Sequence, residues 1–225
     1  MAEPFVRAAG LERTYRIGQT EAHAVREATF EIHDDARIAL VVPSGSGKTT
    51  ILHLIAALDE PTAGSIEWPA LGPAERLRPG PVAIAFQGPS LIPPLTVSEN
   101  VALPLLLLDA PADEARDRAL DLLGRFRLED VGDKLPEEIS GGQAQRAGLA
   151  RALAGHPRLV LADEPTGQQD GDTGRAMMTE LLDVAAEGGM ALLVATHDVR
   201  VAERLEIRWS IRDGSLDAGV IPSSR

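Results

Sequence analysis

Cysteine is absent from this chain of 225 residues, and basic residues are scarce. Without cysteine there is no disulfide and no thiolate metal site, although this says nothing about the cellular compartment. Acidic residues outnumber basic ones by 34 to 22, which gives a formal net charge of -12. That charge repels phosphate backbones and anionic lipid headgroups, so we expect no nucleic-acid partner and no direct electrostatic membrane anchor.

Long hydrophobic runs are also lacking. The most apolar stretch, residues 101–108, contains Pro104 and stops at Asp109, well short of the ~20 apolar residues that a membrane-spanning helix needs. Residues 1–10 show no apolar core of signal-peptide length. If the protein works at a membrane, we expect another chain to hold it there.

Short apolar runs alternate with amphipathic stretches. Patterns typical of buried strands lie at residues 37–42, 82–86, 158–162 and 191–196, and helical stripes lie at 48–58 and 112–124. This alternation predicts an α/β fold with a mainly parallel sheet covered on both faces. Residues 89–155 lack good strand patterns, so we expect them to form a helical lobe inserted into a single domain that spans residues 1–225.

A glycine-rich segment, PSGSGKTT, lies between the first predicted strand and the first predicted helix. Its glycines let successive N–H groups point at one anion, and the helix adds its positive end. Lys48 would reach the β- and γ-phosphates, and Thr49 would offer its hydroxyl to Mg²⁺. The predicted nucleotide-binding residues are Ser44, Gly45, Ser46, Gly47, Lys48, Thr49 and Thr50. A plain glycine-rich turn is disfavoured by the flanking strand and helix.

Position 42 departs from the full pattern of such a loop, which has glycine where this chain has Val42. A β-branched residue is costly there if the backbone needs a positive φ, and nearly neutral if it is extended. Since Val42 continues the strand-like run, we favour the extended conformation.

Two adjacent carboxylates end the apolar run 159–162. Asp163 suits a place in the shell of Mg²⁺, and Glu164 suits a general base that polarises the attacking water. A strand that simply meets a polar turn would look the same, so this run alone does not decide between the two.

A second candidate anion site is the segment Ser140–Gln143, which precedes a helical stretch. A serine and two glycines at a helix start can bind phosphate. A structural helix cap is the alternative, but a Gly-Gly pair followed by glutamine is unusual for a cap alone. Two phosphate-binding elements in one chain suggest that two chains share each nucleotide.

Three single residues complete the candidates. Gln87 follows a predicted strand, where its amide would reach Mg²⁺ or the attacking water. His197 follows another strand, in a register that approaches a γ-phosphate. Tyr15, the only tyrosine, would stack on adenine. Taken alone, Gln87 is better explained as a surface residue at a strand end, a lone histidine such as His197 is usually structural, and Tyr15 could equally cover the sheet edge.

In this order the motifs closely resemble the ATP-binding subunits of ABC transporters, from Tyr15 to about Leu216. The resemblance implies that Tyr15 stacks on adenine, that Pro43–Thr50 is the Walker A loop and that Gln87 is the Q-loop glutamine. It also implies roles for the signature motif Ser140–Gln143 (with Ser140, Gly141, Gly142 and Gln143), the Walker B strand ending at Asp163, the catalytic glutamate Glu164, the D-loop aspartate Asp170 and the switch histidine His197. The implied fold is a phosphate-loop ATPase core with an antiparallel β portion near the N-terminus and an inserted helical lobe.

Residues 91–106 and 162–167 are similar to one branch of the family, which contains lipoprotein-release, macrolide-efflux and cell-division ATPases. The chain departs from the usual pattern at Val42, at Arg37 where glutamate is common, and at Gln168-Gln169 where Asn-Leu is usual. These departures bear on catalytic rate and inter-subunit signalling more than on the fold.

The resemblance implies a mechanism in which two copies associate head to tail, with ATP and Mg²⁺ as cofactors. ATP lies between the phosphate loop of one copy and Ser140–Gln143 of the other, so that binding closes the dimer and hydrolysis releases it. We expect a homodimer on the cytoplasmic face of the plasma membrane that drives an integral membrane permease for export, or for extrusion of a lipoprotein, peptide or drug.

Three alternatives remain at the level of sequence. An ABC ATPase acting on DNA or ribosomes is opposed by the acidic charge and short length. A non-transporting regulator of a membrane complex, as in cell division, stays open because the ATPase sequence does not distinguish it. A nucleotide-binding scaffold with little turnover is suggested by Val42 and Gln168 and opposed by Lys48, Asp163, Glu164 and His197.

Overall fold

The computed structural model describes residues 3–18, 20–41, 48–88 and 90–219. The chain divides into two compact units, one made of residues 1–77 with 191–225 and the other of residues 78–190. Among the described residues, none of the helices combines the length and the apolar character that crossing a bilayer requires.

The first unit is built on a mixed sheet with the strand order β4-β1-β2-β9-β8-β3-β7. Its elements are β1 (Val6–Ile17), β2 (Thr20–Ile32), β3 (Arg37–Val41), α1 (Lys48–Ile55), β4 (Ala63–Glu67), β7 (Ala191–Thr196), α6 (Val199–Ala202), β8 (Ile207–Arg212) and β9 (Ser215–Ala218). Strand β1 pairs antiparallel with β2 and β4, whereas β3 pairs parallel with β7 and β8. The predicted antiparallel portion near the N-terminus and the parallel core are confirmed.

Helix α1 ends earlier than its apolar pattern predicts. The stripe continues to Leu58, but the helix stops at Ile55 and Ala57 takes a positive φ of 51°. The Trp68 indole nitrogen donates a 2.8 Å hydrogen bond to the Ile55 carbonyl, one of the carbonyls that a helix end leaves without an internal partner. Leu58 is then directed outward and is 42% exposed.

The described residues of the second unit form two parallel strands and four α helices. They are β5 (Val82–Ala85), α2 (Val97–Leu106), α3 (Ala112–Arg125), α4 (Gly141–Ala154), β6 (Leu159–Asp163) and α5 (Gly171–Glu187). Strand β5 pairs with β6 in a register that places Ala85 opposite Ala162. Within residues 90–155 the described chain forms three α helices and no strand. The assignment of residues 89–155 as an inserted lobe of a single domain stays a prediction.

Helices α2, α4 and α5 of the second unit begin at side-chain caps, whereas α3 begins after Pro111 without one. Thr96 and Glu99 form a reciprocal capping box at the start of α2, which satisfies two backbone N–H groups that would otherwise lack partners. Helix α3 buries the face that its periodicity predicts, with Ala115, Ala119, Leu122 and Leu123 all inside. Arg125 at its end is joined to Glu187 of α5 by two hydrogen bonds of 2.6 and 3.0 Å.

Candidate nucleotide-binding site

Lys48 is the first residue of α1, seven residues past the end of β3 at Val41. Its side chain is only 8% exposed, an unusual place for a lysine. Thr49 is exposed and Thr50 is half-buried. The strand and the helix between which the phosphate loop was predicted are therefore both present, as β3 and α1. Val42 and the predicted site residues Ser44, Gly45, Ser46 and Gly47 lie outside the described residues.

Tyr15 is held in the first unit by a three-residue cluster. Its hydroxyl donates a 2.6 Å hydrogen bond to Asp59, and Arg13 makes a salt bridge of 2.7 Å to the same carboxylate. Burial opposes ionisation of Asp59, but the hydrogen bond from Tyr15, the Glu60 amide and the Arg13 charge together hold its pKa below the usual value. The Tyr15 ring borders an open cavity of about 570 Å³.

His197 follows the fully buried strand β7 and is exposed. The preceding Thr196 is buried, and its hydroxyl accepts a 3.0 Å hydrogen bond from the Asp198 amide. Hydrogen bonds from Arg200 keep the pKa of Asp198 below its usual value. The histidine thus stands at the end of a rigid strand beside an ionised carboxylate.

In the second unit, Asp163 and Glu164 stand at the carboxyl end of the fully buried strand β6, at 4% and 2% exposure. Glu164 has a left-handed backbone with φ of 48°, which costs an L-residue about 1–2 kcal/mol. Its carbonyl oxygen accepts hydrogen bonds from the Gly167 amide at 3.0 Å and from the Gln145 side chain at 2.9 Å. Those two bonds hold the turn in its strained conformation.

Gln87 lies two residues past the end of β5 and is exposed. The parallel register that sets Ala85 opposite Ala162 brings the ends of β5 and β6 together. Gln87, two residues past β5, and the carboxylates of Asp163 and Glu164 at the end of β6 therefore lie at the ends of neighbouring strands.

Ser140 is the N-cap of α4. Its hydroxyl oxygen accepts a 3.2 Å hydrogen bond from the Gln143 amide, and the Gln143 side chain accepts one of 2.8 Å from the Ser140 amide. The structural cap and the anion site considered from sequence are compatible, because a hydroxyl that accepts one hydrogen bond still has its own proton to donate. Gly141 and Ser140 are exposed, whereas Gly142 and Gln143 are half-buried.

Asp170 caps α5. Its carboxylate accepts hydrogen bonds from the Thr173 and Asp172 amides at 2.9 and 3.1 Å and from the Thr173 hydroxyl at 2.8 Å. These bonds, led by that from the Thr173 amide, hold the pKa of Asp170 below its usual value. The side chain stays ionised and its direction is fixed by the helix that it caps.

Sequence reasoning missed the residues that hold the candidates in place: Arg13, Asp59 and Gln145. Gln145 is 6% exposed on α4 and contacts Glu164, 19 residues further along the chain. A buried glutamine two positions after the Ser-Gly-Gly-Gln segment was the available signal, because a buried amide needs hydrogen-bond partners.

Comparison with known proteins places these features in one family. The model of the ABC transporter family matches residues 25–167. The lipoprotein-releasing system ATP-binding protein LolD of Gluconobacter oxydans is 41% identical over 218 residues, covering 94% of each chain. An uncharacterised ABC transporter ATP-binding protein of Thermotoga maritima is 37% identical over 215 residues, 91% of this chain and 90% of that protein.

Solved structures support the same family assignment. A dimeric ATP-binding cassette in a post-hydrolysis state, bound to ADP and Pi, superposes with a TM-score of 0.87 at 35% identity, over 94% of this chain and 96% of that one. A dimeric bacterial ABC transporter cassette superposes with a TM-score of 0.88 at 34% identity and the same coverage. The coverage and the sequence identity are both high enough to support an assignment of function as well as of fold. This chain therefore belongs to the ABC transporter family, as one of its ATP-binding and ATP-hydrolysing subunits.

Proposed function

We propose that two copies of this chain bind ATP between them and hydrolyse it to drive a membrane permease. The observation that carries the proposal is the charge at the helix starts. Helices α2, α3 and α5 have acidic residues in their first turn, which neutralise the positive end of a helix. Helices α1 and α4, which begin at Lys48 and after Ser140, have none. The four-residue helix α6 has none either, but its N-cap is the carboxylate of Asp198. In a chain of net charge -12, these two helix starts are kept suitable for an anion.

One nucleotide needs one phosphate cradle, so the second helix start serves the nucleotide of a second copy. In this arrangement Lys48 and the loop residues Ser44–Gly47 bind the phosphates of one ATP. Ser140, with its hydroxyl proton available, binds the γ-phosphate held by the partner. The solved dimeric relatives support this pairing, and we take the partner to be a second copy of this chain.

Mg²⁺ would be held by Thr49, Gln87 and Asp163. Their hydroxyl, amide and carboxylate oxygens are the hard donors that this ion prefers. Among the described residues, no three His, Cys, Asp or Glu side chains gather into a metal site. A few protein oxygens combined with phosphate oxygens of ATP is the usual arrangement for Mg²⁺ in such enzymes. The ion would neutralise charge that develops on the phosphates.

Glu164 acts as the general base. It directly follows Asp163, is almost fully buried, and has its backbone fixed by Gln145 and Gly167. A carboxylate carried on a fixed backbone and buried among its neighbours has fewer conformations to lose when it orients a water molecule. His197 contacts the γ-phosphate and reports its presence, and Gln87 contacts the water or the ion. Tyr15 stacks on adenine.

The decisive experiment is Glu164→Gln in the full chain. The amide keeps the shape of the carboxylate but does not accept the proton, so the rate of ATP hydrolysis should fall by about 10²–10⁴. Because bound ATP is no longer hydrolysed, the two-chain complex should accumulate. Size-exclusion chromatography with MgATP measures it. Asp163→Asn is the matched control: it also removes one charge at the strand end but should abolish both hydrolysis and trapping. Hydrolysis by Glu164→Gln at the parent rate would show that Glu164 is not the base.

The permease partner is inferred from the relatives that are named as lipoprotein-releasing ATP-binding proteins. By this proposal the chain sits on the cytoplasmic face of the membrane, docked on a permease that extrudes a lipoprotein or a similar amphipathic cargo, and it binds no nucleic acid. Proteoliposomes that contain the permease with this chain test the role. ATP-dependent release of cargo supports transport. A partner whose conformation responds to ATP without release of any cargo supports the regulatory alternative.

We also propose that the whole chain works as a single ABC ATPase domain with residues 89–155 as its helical lobe. The three helices α2, α3 and α4 within that range support it.

A further inference from the structure

Gln169 makes three side-chain hydrogen bonds to helix α4. Its amide nitrogen donates to the Gly142 carbonyl at 2.8 Å and to the Gln145 side-chain oxygen at 3.1 Å. Its amide oxygen accepts from the Arg146 guanidinium at 2.9 Å. Both protons of the amide and one of its acceptor sites are used. Leucine, the residue usual at this position in the resembling family, would make none of these bonds.

Gln145 extends the same network to the turn of Glu164. Its side-chain nitrogen donates to the Glu164 carbonyl at 2.9 Å, and its oxygen accepts from the Gln168 amide as well as from Gln169. Two amide side chains thus connect the backbone of Gly142 with the backbone of Glu164. The hydrogen bonds in such a network polarise one another, and the network makes the elements that it joins more rigid.

Residues 168 and 169 also lie against the glycines of α4. A Cβ atom on Gly142 would lie 3.2 Å from the Gln168 carbonyl oxygen and 3.3 Å from the Gln169 side chain. One on Gly141 would lie 2.8 Å from the Gln168 side-chain oxygen. Gly142 therefore permits the close approach of the Gln168 carbonyl, and the hydrogen bonds of Gln169 lie in that contact.

We propose that Gln169 is a positioning residue that fixes the segment Ser140–Gln143 to the turn that carries Glu164. This inference rests on the proposed function. The segment that meets the nucleotide of the partner and the general base of the chain's own site then move as one body. Opening or closing at one composite site is transmitted through the chain to the other, so Gln169 contributes to cooperativity between the two ATP sites rather than to nucleotide affinity.

The test compares Gln169→Leu with Gln168→Leu in the full chain. Gln168 is a matched control, because its contact with Gln145 uses the backbone amide, which survives the substitution. We expect Gln169→Leu to weaken ATP-dependent dimerisation about tenfold, comparable to the loss of one hydrogen bond, when measured by sedimentation in the Glu164→Gln background. The Hill coefficient of ATP hydrolysis should fall towards unity. The affinity of the dilute monomer for a fluorescent ATP analogue should not change. Gln168→Leu, which alters the side chain beside Gly141 but keeps the backbone bond to Gln145, should reduce dimerisation and the Hill coefficient less than Gln169→Leu does.

A double-mutant cycle separates the network from general damage. If both glutamines act through their shared bond, Gln145→Leu combined with Gln169→Leu weakens dimerisation less than the sum of the two single effects. An unchanged dimer and Hill coefficient in Gln169→Leu overturn the inference, and so does an equal loss of monomer nucleotide affinity. If Glu164→Gln alone forms no ATP-dependent dimer, that result contradicts the proposed function itself, on which this inference rests.

Discussion

The guanidinium of Arg13 lies 4.7 Å from the centroid of the Tyr15 ring. It is fixed there by Asp59, which accepts hydrogen bonds from Arg13 at 3.0 Å and from the Tyr15 hydroxyl at 2.6 Å. One face of the ring is covered by a cation, an attractive arrangement for an aromatic side chain. Adenine would then stack on the opposite face, on a ring whose orientation is already set before the nucleotide arrives.

We expect Tyr15→Ala to weaken ATP binding. Loss of stacking between a base and an aromatic ring costs about 1–3 kcal/mol, which corresponds to a rise in Kd of roughly 5- to 150-fold. Tyr15→Phe keeps the ring and removes only the hydrogen bond to Asp59, so its Kd should stay within about threefold of the parent, since a single neutral hydrogen bond contributes little net free energy. Fluorescence titration measures both variants. Equal affinity of Tyr15→Ala and the parent would exclude the stacking role.

Lys48→Ala should raise the Kd for ATP by roughly 10- to 150-fold for each hydrogen bond to phosphate that is lost. The variant loses the buried cation at the start of α1, and a hydrogen bond to a charged group contributes about 1.5–3 kcal/mol. The sequence contains one other lysine, Lys134, which is exposed. Lys134→Ala is therefore a matched control, and its affinity for a fluorescent ATP analogue should equal that of the parent. Near-normal affinity of Lys48→Ala would contradict the assignment of the phosphate loop.

Ser140→Arg should leave ATP binding by the monomer nearly intact and prevent closure of the dimer. The large cation would fill the space of the facing γ-phosphate. Because the substitution also removes a helix cap, worth about 1 kcal/mol, Ser140→Ala serves as the control that loses the cap without adding bulk. Sedimentation with ATP in the Glu164→Gln background should show less dimer for arginine than for alanine. Equal dimerisation of the two variants and the parent would count against a shared nucleotide.

Much of the fold follows from the spacing of apolar residues. Strand β7 begins and ends where its run of apolar residues predicts, and the buried face of α3 is the predicted one. The predicted end of α1, at Leu58, was wrong by three residues, because the helix ends at Ile55. An apolar pattern records which residues are suited to burial, whereas this helix ends where Ala57 turns and a tryptophan 13 residues away bonds its last carbonyl.

The candidate site was predictable where its residues are contiguous or follow strand ends. Gln87, Asp163 and His197 all stand just past the strands that the sequence indicates. The hydrogen bonds of Gln145 and Gln169, which connect α4 with the turn of Glu164, were not predictable, because the bonded residues lie 19 to 27 positions apart. A side-chain amide can both accept and donate hydrogen bonds, and no periodic pattern in the sequence reveals which distant groups it joins.

A second long-range contact lies beyond Gln87. Arg151 of α4 donates hydrogen bonds to the Ser90 carbonyl at 2.8 Å and to the Ser90 hydroxyl at 2.7 Å. Asn100, fully buried, holds the following residues by accepting from the Ile92 amide at 2.7 Å and donating to the Leu95 carbonyl at 3.0 Å. Burial lowers the pKa of Arg151, so its charge is retained at some cost in order to secure this segment.

We predict that Arg151→Met destabilises the fold by about 1–3 kcal/mol, the usual effect of leaving buried polar groups unsatisfied. Methionine keeps most of the apolar stem, so the loss reports the guanidinium contacts rather than packing. Because the segment after Gln87 loosens, the rate of ATP hydrolysis should also fall while the affinity of the monomer for ATP stays the same. Arg116→Met, on the exposed face of α3, should change neither quantity. Urea unfolding and steady-state ATPase assays measure both effects, and an Arg151→Met variant with the unfolding midpoint of the parent would show that these hydrogen bonds do not stabilise the segment.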